Sequence, residues 1–224
     1  MPTSILKMQE GAWTSQAGYI VWPTETRQIS ELLKLAQAEK FDVIPFGGGS
    51  GVCGGTEPLS PAVIVDMKKM DRVLDFDPYS KVVTVQGGMI LEHLERYLNA
   101  HDHTLGHFPS SIYCCTIGGN LATRSAGQMS SKYGKIEDMV IGLEVVMPTG
   151  SVVRIRPAPR RSTGPDLIQL FVGSEGTYGI ITQATLRIWK QPEERIFAAF
   201  KFPNTNSGIE AARRIMQSDI RPAV

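Results

Sequence analysis

The stretch Pro45 to Thr56, PFGGGSGVCGGT, is the part of the sequence best suited to chemistry. Glycine lets successive backbone N–H groups turn inward and form a concave anion nest. A polyanion such as a pyrophosphate is the natural guest, and Ser50 and Thr56 add hydroxyl donors. Gly49-Ser50-Gly51-Val52-Cys53-Gly54 also meets the spacing G-x-G-x-x-G of dinucleotide-binding turns. Such a turn must open a helix. Here Gly55, Pro58 and Pro61 follow, and no helix starts there. No Lys-Ser or Lys-Thr pair follows the glycines, which excludes a phosphate loop of the nucleotide-hydrolase type. A plain surface turn is the alternative. The position directly after a buried-looking apolar run favours a ligand loop.

A second cluster spans Pro109 to Gly127, PSSIYCCTIGGNLATRSAG. It holds hydroxyls at Ser110, Ser111, Thr116, Thr123 and Ser125, and a lone Arg124. Gly118-Gly119 allows close approach of a flat ligand. A third cluster, GSEGTYGIIT, runs from Gly173 to Thr182. Three polar glycine loops in one chain suggest one long ligand touched at several points.

Other constellations carry less. His101-Asp102-His103 with His107, Cys114 and Cys115 matches no usual zinc spacing, so no metal is expected. His107, just before the second cluster, reads equally well as packing or as a residue near the ligand. Cys114-Cys115 reads as small apolar packing. No G-x-S-x-G elbow occurs, which leaves a serine hydrolase unsupported. Glu137 and Asp138 are neighbours that diverge, a poor acid–base pair. Arg154, Arg156, Arg160 and Arg161 read as a solvated face, with an anionic partner as the alternative. Phe171 and Tyr178 read as core.

The loops need elements to hold them. YIVWP, within Gly18 to Pro23, reads as a strand. Thr24-Glu25-Thr26 offers caps for a helix with Ile29, Leu32, Leu33, Leu35 and Ala36 at helical spacing. Asp42 to Phe46 and Pro61 to Met67 read as strands. Val73 to Phe76 and Val82 to Gln86 pair around the turn at Asp77 to Ser80. Met89 to Ala100 fits an amphipathic helix. Met139 to Met147 and Val152 to Ile155 flank Pro148-Thr149-Gly150 as a hairpin. Gly179 to Trp189 and Ile196 to Phe202 read as further strands, and Ser207 to Gln217 as a last helix. The order predicts an α+β fold in two lobes, with a seam near Ser80. One helix per strand is not seen, which argues against a doubly wound sheet.

Composition bounds the function. The chain has 224 residues, 42% hydrophobic and 20% charged, so it is globular. Its formal charge of +1 supplies no basic excess for nucleic acid. No apolar run spans a bilayer, and the N-terminal MPTSILKMQEGAW has no apolar core of a secretory signal. The 3 cysteines form no disulfide framework, which predicts a reducing cytoplasm.

The segments PFGGGSG, PSSIYCCTIGGNLATRSAG, YGKIEDMVIGLEVVMPTG and GSEGTYGIITQATLRI cover nearly the whole chain. In that order they resemble the FAD-binding, PCMH-type domain of the vanillyl-alcohol oxidase flavoproteins (FAD-linked oxidases). YGKIEDMV and RRSTGPDLIQLFVGSEG are most similar to alkyldihydroxyacetonephosphate synthases and their microbial relatives. The glycolate and D-lactate dehydrogenase branch usually differs where Ser162-Thr163-Gly164-Pro165-Asp166 stands. The resemblance implies that Pro45, Phe46, Gly47, Gly48, Gly49, Ser50 and Gly51 wrap the FAD pyrophosphate. It implies that Ser110, Ser111, Cys115, Thr116, Gly119, Thr123, Arg124, Ser125 and Ala126 line the flavin and ribityl region. Glu175, Gly176, Thr177, Gly179, Ile180 and Ile181 would touch the cofactor from the sheet side. Some members attach flavin to a histidine near the first loop. This loop has none, and Cys53 is the one conceivable nucleophile there, so the FAD is expected to be noncovalent.

The family also implies a substrate-capping domain. The expectation is an FAD domain with lobes at about 15–80 and 81–202, and the start of a truncated cap at 203–224. The function expected is that of a flavin-dependent oxidoreductase acting on a small molecule, a 2-hydroxy acid or an alkyldihydroxyacetonephosphate-type substrate. The alternative is a non-catalytic FAD-binding fragment or subunit. The expected alternatives for the missing cap are an FAD-domain fragment, a truncated reading frame, or a half whose cap is supplied by a homodimer or a partner subunit.

Overall fold

The computed structural model describes residues 16–218 and 222–224. The N-terminal stretch read above for a signal lies outside the described residues. So do residue 15 of the expected first lobe and residues 219–221 of the expected cap start.

Two sheets build the fold. The first is parallel, with β1 (Ala17–Val21), β2 (Asp42–Phe46) and β3 (Ala62–Asp66) in the order β1-β3-β2. Ile64 of β3 stands between Ile20 and Ile44. The second is antiparallel and holds β4 (Val73–Asp77), β5 (Val82–Gln86), β7 (Val140–Val146), β8 (Val152–Ile155) and β9 (Ile180–Arg187). Its order is β4-β5-β9-β7-β8. A small pair, β6 (His103–Thr104) with β10 (Trp189–Lys190), lies apart. The chain changes sheet between Asp66 and Val73, through a 3-10 turn at Met67–Lys69, ahead of the seam expected near Ser80. Asp77 to Ser80 is a turn inside the second sheet. The Asp77 carboxylate accepts from the N–H groups of Tyr79 and Ser80, both at 2.9 Å.

Helix α1 (Thr26–Glu39) starts where Gln28 Oε1 accepts from the N–H groups of Thr24 and Glu25. It buries Ile29, Leu33 and Ala36, while Leu35 is 52% exposed on the other side. Ile29 and Leu33 pack with Val65 and Met67 of the first sheet region and with Val146 and Ile180 of the second sheet. One helix face therefore covers both sheets. Polar ties reinforce it. Buried Glu144 in β7 accepts from Thr26 at 2.7 Å, Thr182 at 2.8 Å and Arg154 at 2.7 Å. The Ser30 hydroxyl donates to the Gly150 carbonyl at the β7–β8 turn.

Helix α2 (Leu91–Asn99) puts Leu91, Leu94 and Leu98 into the main core with Val83, Val85 and Leu186. Four short helices were not legible in the sequence: α3 (Ile117–Ala122), α4 (Ser130–Tyr133), α5 (Ile136–Met139) and α6 (Leu167–Phe171). Each is too short to show a 3.6-residue period. Helix α7 (Thr205–Gln217) matches the expected last helix. The expected strand Ile196 to Phe202 is absent. It pairs with no strand among the described residues, and Ile196, Phe197 and Phe200 are 82%, 91% and 74% exposed. Alternation alone makes no strand without an edge to pair with.

The segment linking the sheets packs on Gly87-Gly88, directly after β5. The Gly87 N–H donates to the Thr182 carbonyl of β9 at 2.8 Å, and the Gly88 N–H to the Met70 carbonyl beyond β3 at 2.9 Å. A Cβ on Gly88 would fall on the Met67 carbonyl. Overpacking of this kind costs about 1–3 kcal/mol. Gly88→Ala should therefore lower the melting temperature by about 2–12 °C. Gly51→Ala, whose Cβ would meet nothing within 4 Å, should leave it in place. Thermal melts followed by circular dichroism check both.

Candidate functional site

A cleft of about 450 Å³ opens where the three glycine loops converge. Strand β2 delivers the first loop. The Gly47 carbonyl accepts from Lys68 Nζ at 3.1 Å. Both Asp66 carboxylate oxygens hold the same ammonium at 2.8 Å, and Trp22 Nε1 donates to Asp66 at 3.1 Å. Lys68 also sits 4.8 Å from the Phe46 ring centroid. This network fixes where the loop begins. Beyond it, the N–H groups of Gly48, Gly49, Ser50 and Gly51 have no acceptor among the described residues. Gly48 is obligatory, since a Cβ there would run into the Cys114 carbonyl.

The second wall is the segment before and around α3. Thr116 caps that helix, its hydroxyl accepting from the Gly119 N–H at 3.2 Å. Backbone bonds Ile117 to Met89 (2.9 Å) and Gly118 to Gly87 (2.7 Å) press the segment against the sheet junction. Ser110, Ser111, Cys115, Thr116, Gly119, Thr123, Ser125 and Ala126 all line the cleft. Burial pushes the Cys115 thiol up, so it stays protonated beside Asn120 Nδ2 at 3.3 Å. The third wall is Glu175, Gly176, Gly179, Ile180 and Ile181. It docks through the Gly173 and Glu175 N–H groups on the Leu121 and Ala122 carbonyls.

Arg124 and Thr177 do not line the cleft. Arg124 turns behind it, with Nε on the Val172 carbonyl at 3.2 Å and Nη2 on Gln169 at 2.7 Å. It clamps the third loop against the second. Thr177 folds its hydroxyl onto the Ser174 carbonyl at 2.6 Å. Sequence reasoning missed Met67, Gly87 and Asn120, which also line the cleft. The pair Gly87-Gly88 directly after VVTVQ was an available signal.

Behind Ser125 stands His107, fully buried. Its Nε2 lies 2.7 Å from Ser125 Oγ, and its Nδ1 has no partner. Burial lowers its pKa to about 4, against the pull of the Glu137 charge. The imidazole is neutral at pH 7. Glu137 and Asp138 are both occupied by Lys135, through its ammonium at 2.6 Å and its N–H at 2.8 Å, and make no acid–base pair. No metal-holding cluster exists among the described residues. Among them, no helix is long and apolar enough to cross a membrane.

The donor set suits a dinucleotide. A pyrophosphate offers acceptors only, and the loop offers unpaired N–H donors at a close backbone approach. The remaining walls offer hydroxyls and apolar surface, which suit a polyol chain and a flat ring.

The model of the FAD binding domain family matches residues 17–156. The chain belongs to this family, and its cofactor is FAD. It is 35% identical to alkyldihydroxyacetonephosphate synthase of Caenorhabditis elegans, over 98% of the chain and 37% of that protein. It is 38% identical to the uncharacterized FAD-linked oxidoreductase YgcU of Escherichia coli (strain K12), over 89% of the chain and 42% of that protein. A solved alkyldihydroxyacetonephosphate synthase superposes with a TM-score of 0.80 at 32% identity, covering 92% of the chain and 38% of that structure. The chain thus spans about two-fifths of the length of these relatives.

His107 gives the site a pH signature. Its folded pKa of about 4 lies below the ordinary 6.5. Between those values the unfolded chain binds the proton and the folded chain does not, so stability falls as pH drops from 6.5 towards 4. His107→Gln should flatten that slope relative to the parent chain. Melting temperatures from pH 7 to pH 4 check it, and parallel slopes would remove the buried-neutral assignment.

Proposed function

We propose that this chain is the cofactor-holding part of an FAD-dependent enzyme of the alkyldihydroxyacetonephosphate synthase and 2-hydroxy-acid dehydrogenase group, with FAD bound noncovalently. One observation carries the reading: the cleft has unpaired backbone donors at one end and no proton-transferring imidazole or ammonium on its walls. It is built to hold and orient rather than to move protons. Residues 48–51 would take the pyrophosphate. Ser110, Ser111, Thr123 and Ser125 would face the polyol and ring, and Met67, Ile180 and Ile181 would keep water from the sheet side.

Bound flavin supplies two-electron chemistry that side chains lack. The titratable wall residues are Cys53, Cys115 and Glu175. Cys115 is held as a thiol, and Glu175 sits exposed. The base and the substrate wall would therefore come from outside these residues, from further polypeptide or a partner subunit. Residues 203–224 would lead towards it. Helix α7 buries no residue, and Ile209, Ile215 and Met216 are exposed. The synthase branch is favoured by Ser162 to Asp166 and by the relatives above. Free thiols at Cys53, Cys114 and Cys115 support a cytoplasmic setting.

FAD at one hundred times its dissociation constant stabilises the folded chain by about 2.7 kcal/mol. The melting temperature should rise by about 5–11 °C. Gly51→Val should keep the fold, since no atom lies within 4 Å of its Cβ. It should weaken FAD roughly tenfold or more by blocking the backbone approach. Acid precipitation should release yellow flavin into the supernatant. Turnover of D-lactate, glycolate or an acyl-dihydroxyacetone phosphate by these 224 residues alone should be absent or very slow. Fast turnover would place the catalytic groups inside this chain, and no thermal shift would overturn the cofactor assignment.

A further inference from the structure

We infer that Lys68 is a positioning residue for the cofactor pyrophosphate: from behind the cleft its ammonium holds the Gly47 carbonyl and so turns the Gly48 N–H towards the ligand. This rests on the FAD reading above and names what aims the first donor of the nest.

The Gly47 carbonyl and the Gly48 N–H belong to one peptide unit. In a planar trans peptide the two point to opposite sides. No cis peptide bond occurs among the described residues. Lys68 Nζ donates to the Gly47 carbonyl at 3.1 Å. Gly48 lines the cleft and Lys68 does not. The Gly48 N–H, which has no acceptor among the described residues, is thus the end of the peptide turned away from Lys68. Glycine on both sides of this peptide leaves its rotation otherwise weakly restrained. A flipped peptide would present the Gly47 carbonyl to a pyrophosphate, acceptor against acceptor. The Lys68 hydrogen bond holds the opposite orientation.

The ammonium is itself fixed. Both Asp66 oxygens lie 2.8 Å from Nζ, and Asp66 Oδ1 also accepts from the Lys68 N–H at 3.1 Å. Trp22 Nε1 donates to Asp66 Oδ2 at 3.1 Å. A second contact reaches the loop from the same side. Lys68 Nζ sits 4.8 Å from the centroid of the Phe46 ring, and that ring lies where a Cβ on Gly49 would fall, 2.7 Å away. Gly49 has a φ of +61°, which glycine alone adopts without strain. Lys68 therefore touches the first loop directly at Gly47 and, through Phe46, at Gly49.

The charges of Lys68 and Asp66 offset each other, so the pair contributes direction more than net charge. No lysine or arginine lines the cleft among the described residues. The backbone donors must then be aimed before the anion arrives, because no side-chain cation on the walls can gather it.

The orientation is read at the amide. In chain labelled with 15N- and carbonyl-13C-glycine, a carbonyl-filtered NMR spectrum keeps only glycines that follow glycine: Gly48, Gly49, Gly55, Gly88 and Gly119. FAD should move the Gly48 proton downfield, as expected of a new hydrogen bond to phosphate. Gly88, whose N–H is on the Met70 carbonyl outside the cleft, should stay in place. Lys68→Met keeps the stem and removes the donor. It should weaken FAD roughly twofold to tenfold, the value of one hydrogen bond, and shrink the Gly48 movement at saturation. Gly88 should remain unmoved in the variant, which a general loosening of the fold would not allow. Unchanged affinity, or a full Gly48 movement in Lys68→Met, would overturn the proposal. If Lys68→Met does not fold, Trp22→Phe removes only the donor to Asp66 and should reduce the Gly48 movement in the same direction; a full movement there refutes the proposal equally. Absence of FAD binding by the parent chain would overturn the cofactor reading instead. Inorganic pyrophosphate then replaces FAD in the same comparison, and a Gly48 signal that ignores it would refute the role of Lys68 as well.

Discussion

The end of the second sheet meets the 3-10 turn that leaves the first sheet backbone to backbone, and everything else follows from that approach. Side chains cannot mediate the join at Gly87-Gly88, because the carbonyls of Met67 and Ile181 occupy the space a Cβ would need. The N–H groups of the two glycines go one to Thr182 in the second sheet and one to Met70 in the segment that links the sheets. Gly118 then closes on the Gly87 carbonyl and brings the second loop to the same place. A close backbone junction leaves no room for a bulky core between the loops. The volume that remains beside it is the cleft.

Around that junction, the burial of apolar surface and a few buried polar ties divide the work. Ile29 and Leu33 of α1 pack on residues of both sheets, which fixes how the first three strands sit. Glu144 is a buried charge in the fully covered strand β7. It is tolerable because Thr26, Thr182 and Arg154 saturate its oxygens. Burial raises the pKa of Glu95, against hydrogen bonds from Thr104 and the Leu105 N–H that favour its charged form. Such groups stabilise little on balance, but losing a partner from any of them leaves a polar atom stranded in the core.

The cleft itself is ordered from behind. Trp22, Asp66 and Lys68 hold the entry to the first loop through the Gly47 carbonyl. Arg124 holds the third loop through the Val172 carbonyl. His107 stands against Ser125. None of these supporting side chains except Ser125 lines the cleft. The walls are mostly backbone, glycine and small hydroxyls, and rigidity comes from the layer beneath them. That arrangement fits a chain whose own contribution is to place a cofactor.

Much of this was present in the residues alone. Glycines clustered after apolar runs marked all three loops, because only glycine permits such close backbone approach. Strands Asp42–Phe46 and Val82–Gln86 were legible to the residue from β-branched runs ending at turns. What failed were features decided by neighbours. The exposed segment Ile196 to Phe202 looked like a strand, but strand formation needs an edge. The seam was placed too late because β4 looks the same whichever sheet it joins. Arg124 and Thr177 stood within ligand motifs, yet carbonyls brought close by folding claimed their polar ends. The sequence determined which backbone stretches could approach a polyanion. Tertiary structure decided which side chains face it, because side-chain direction depends on partners supplied from distant parts of the chain.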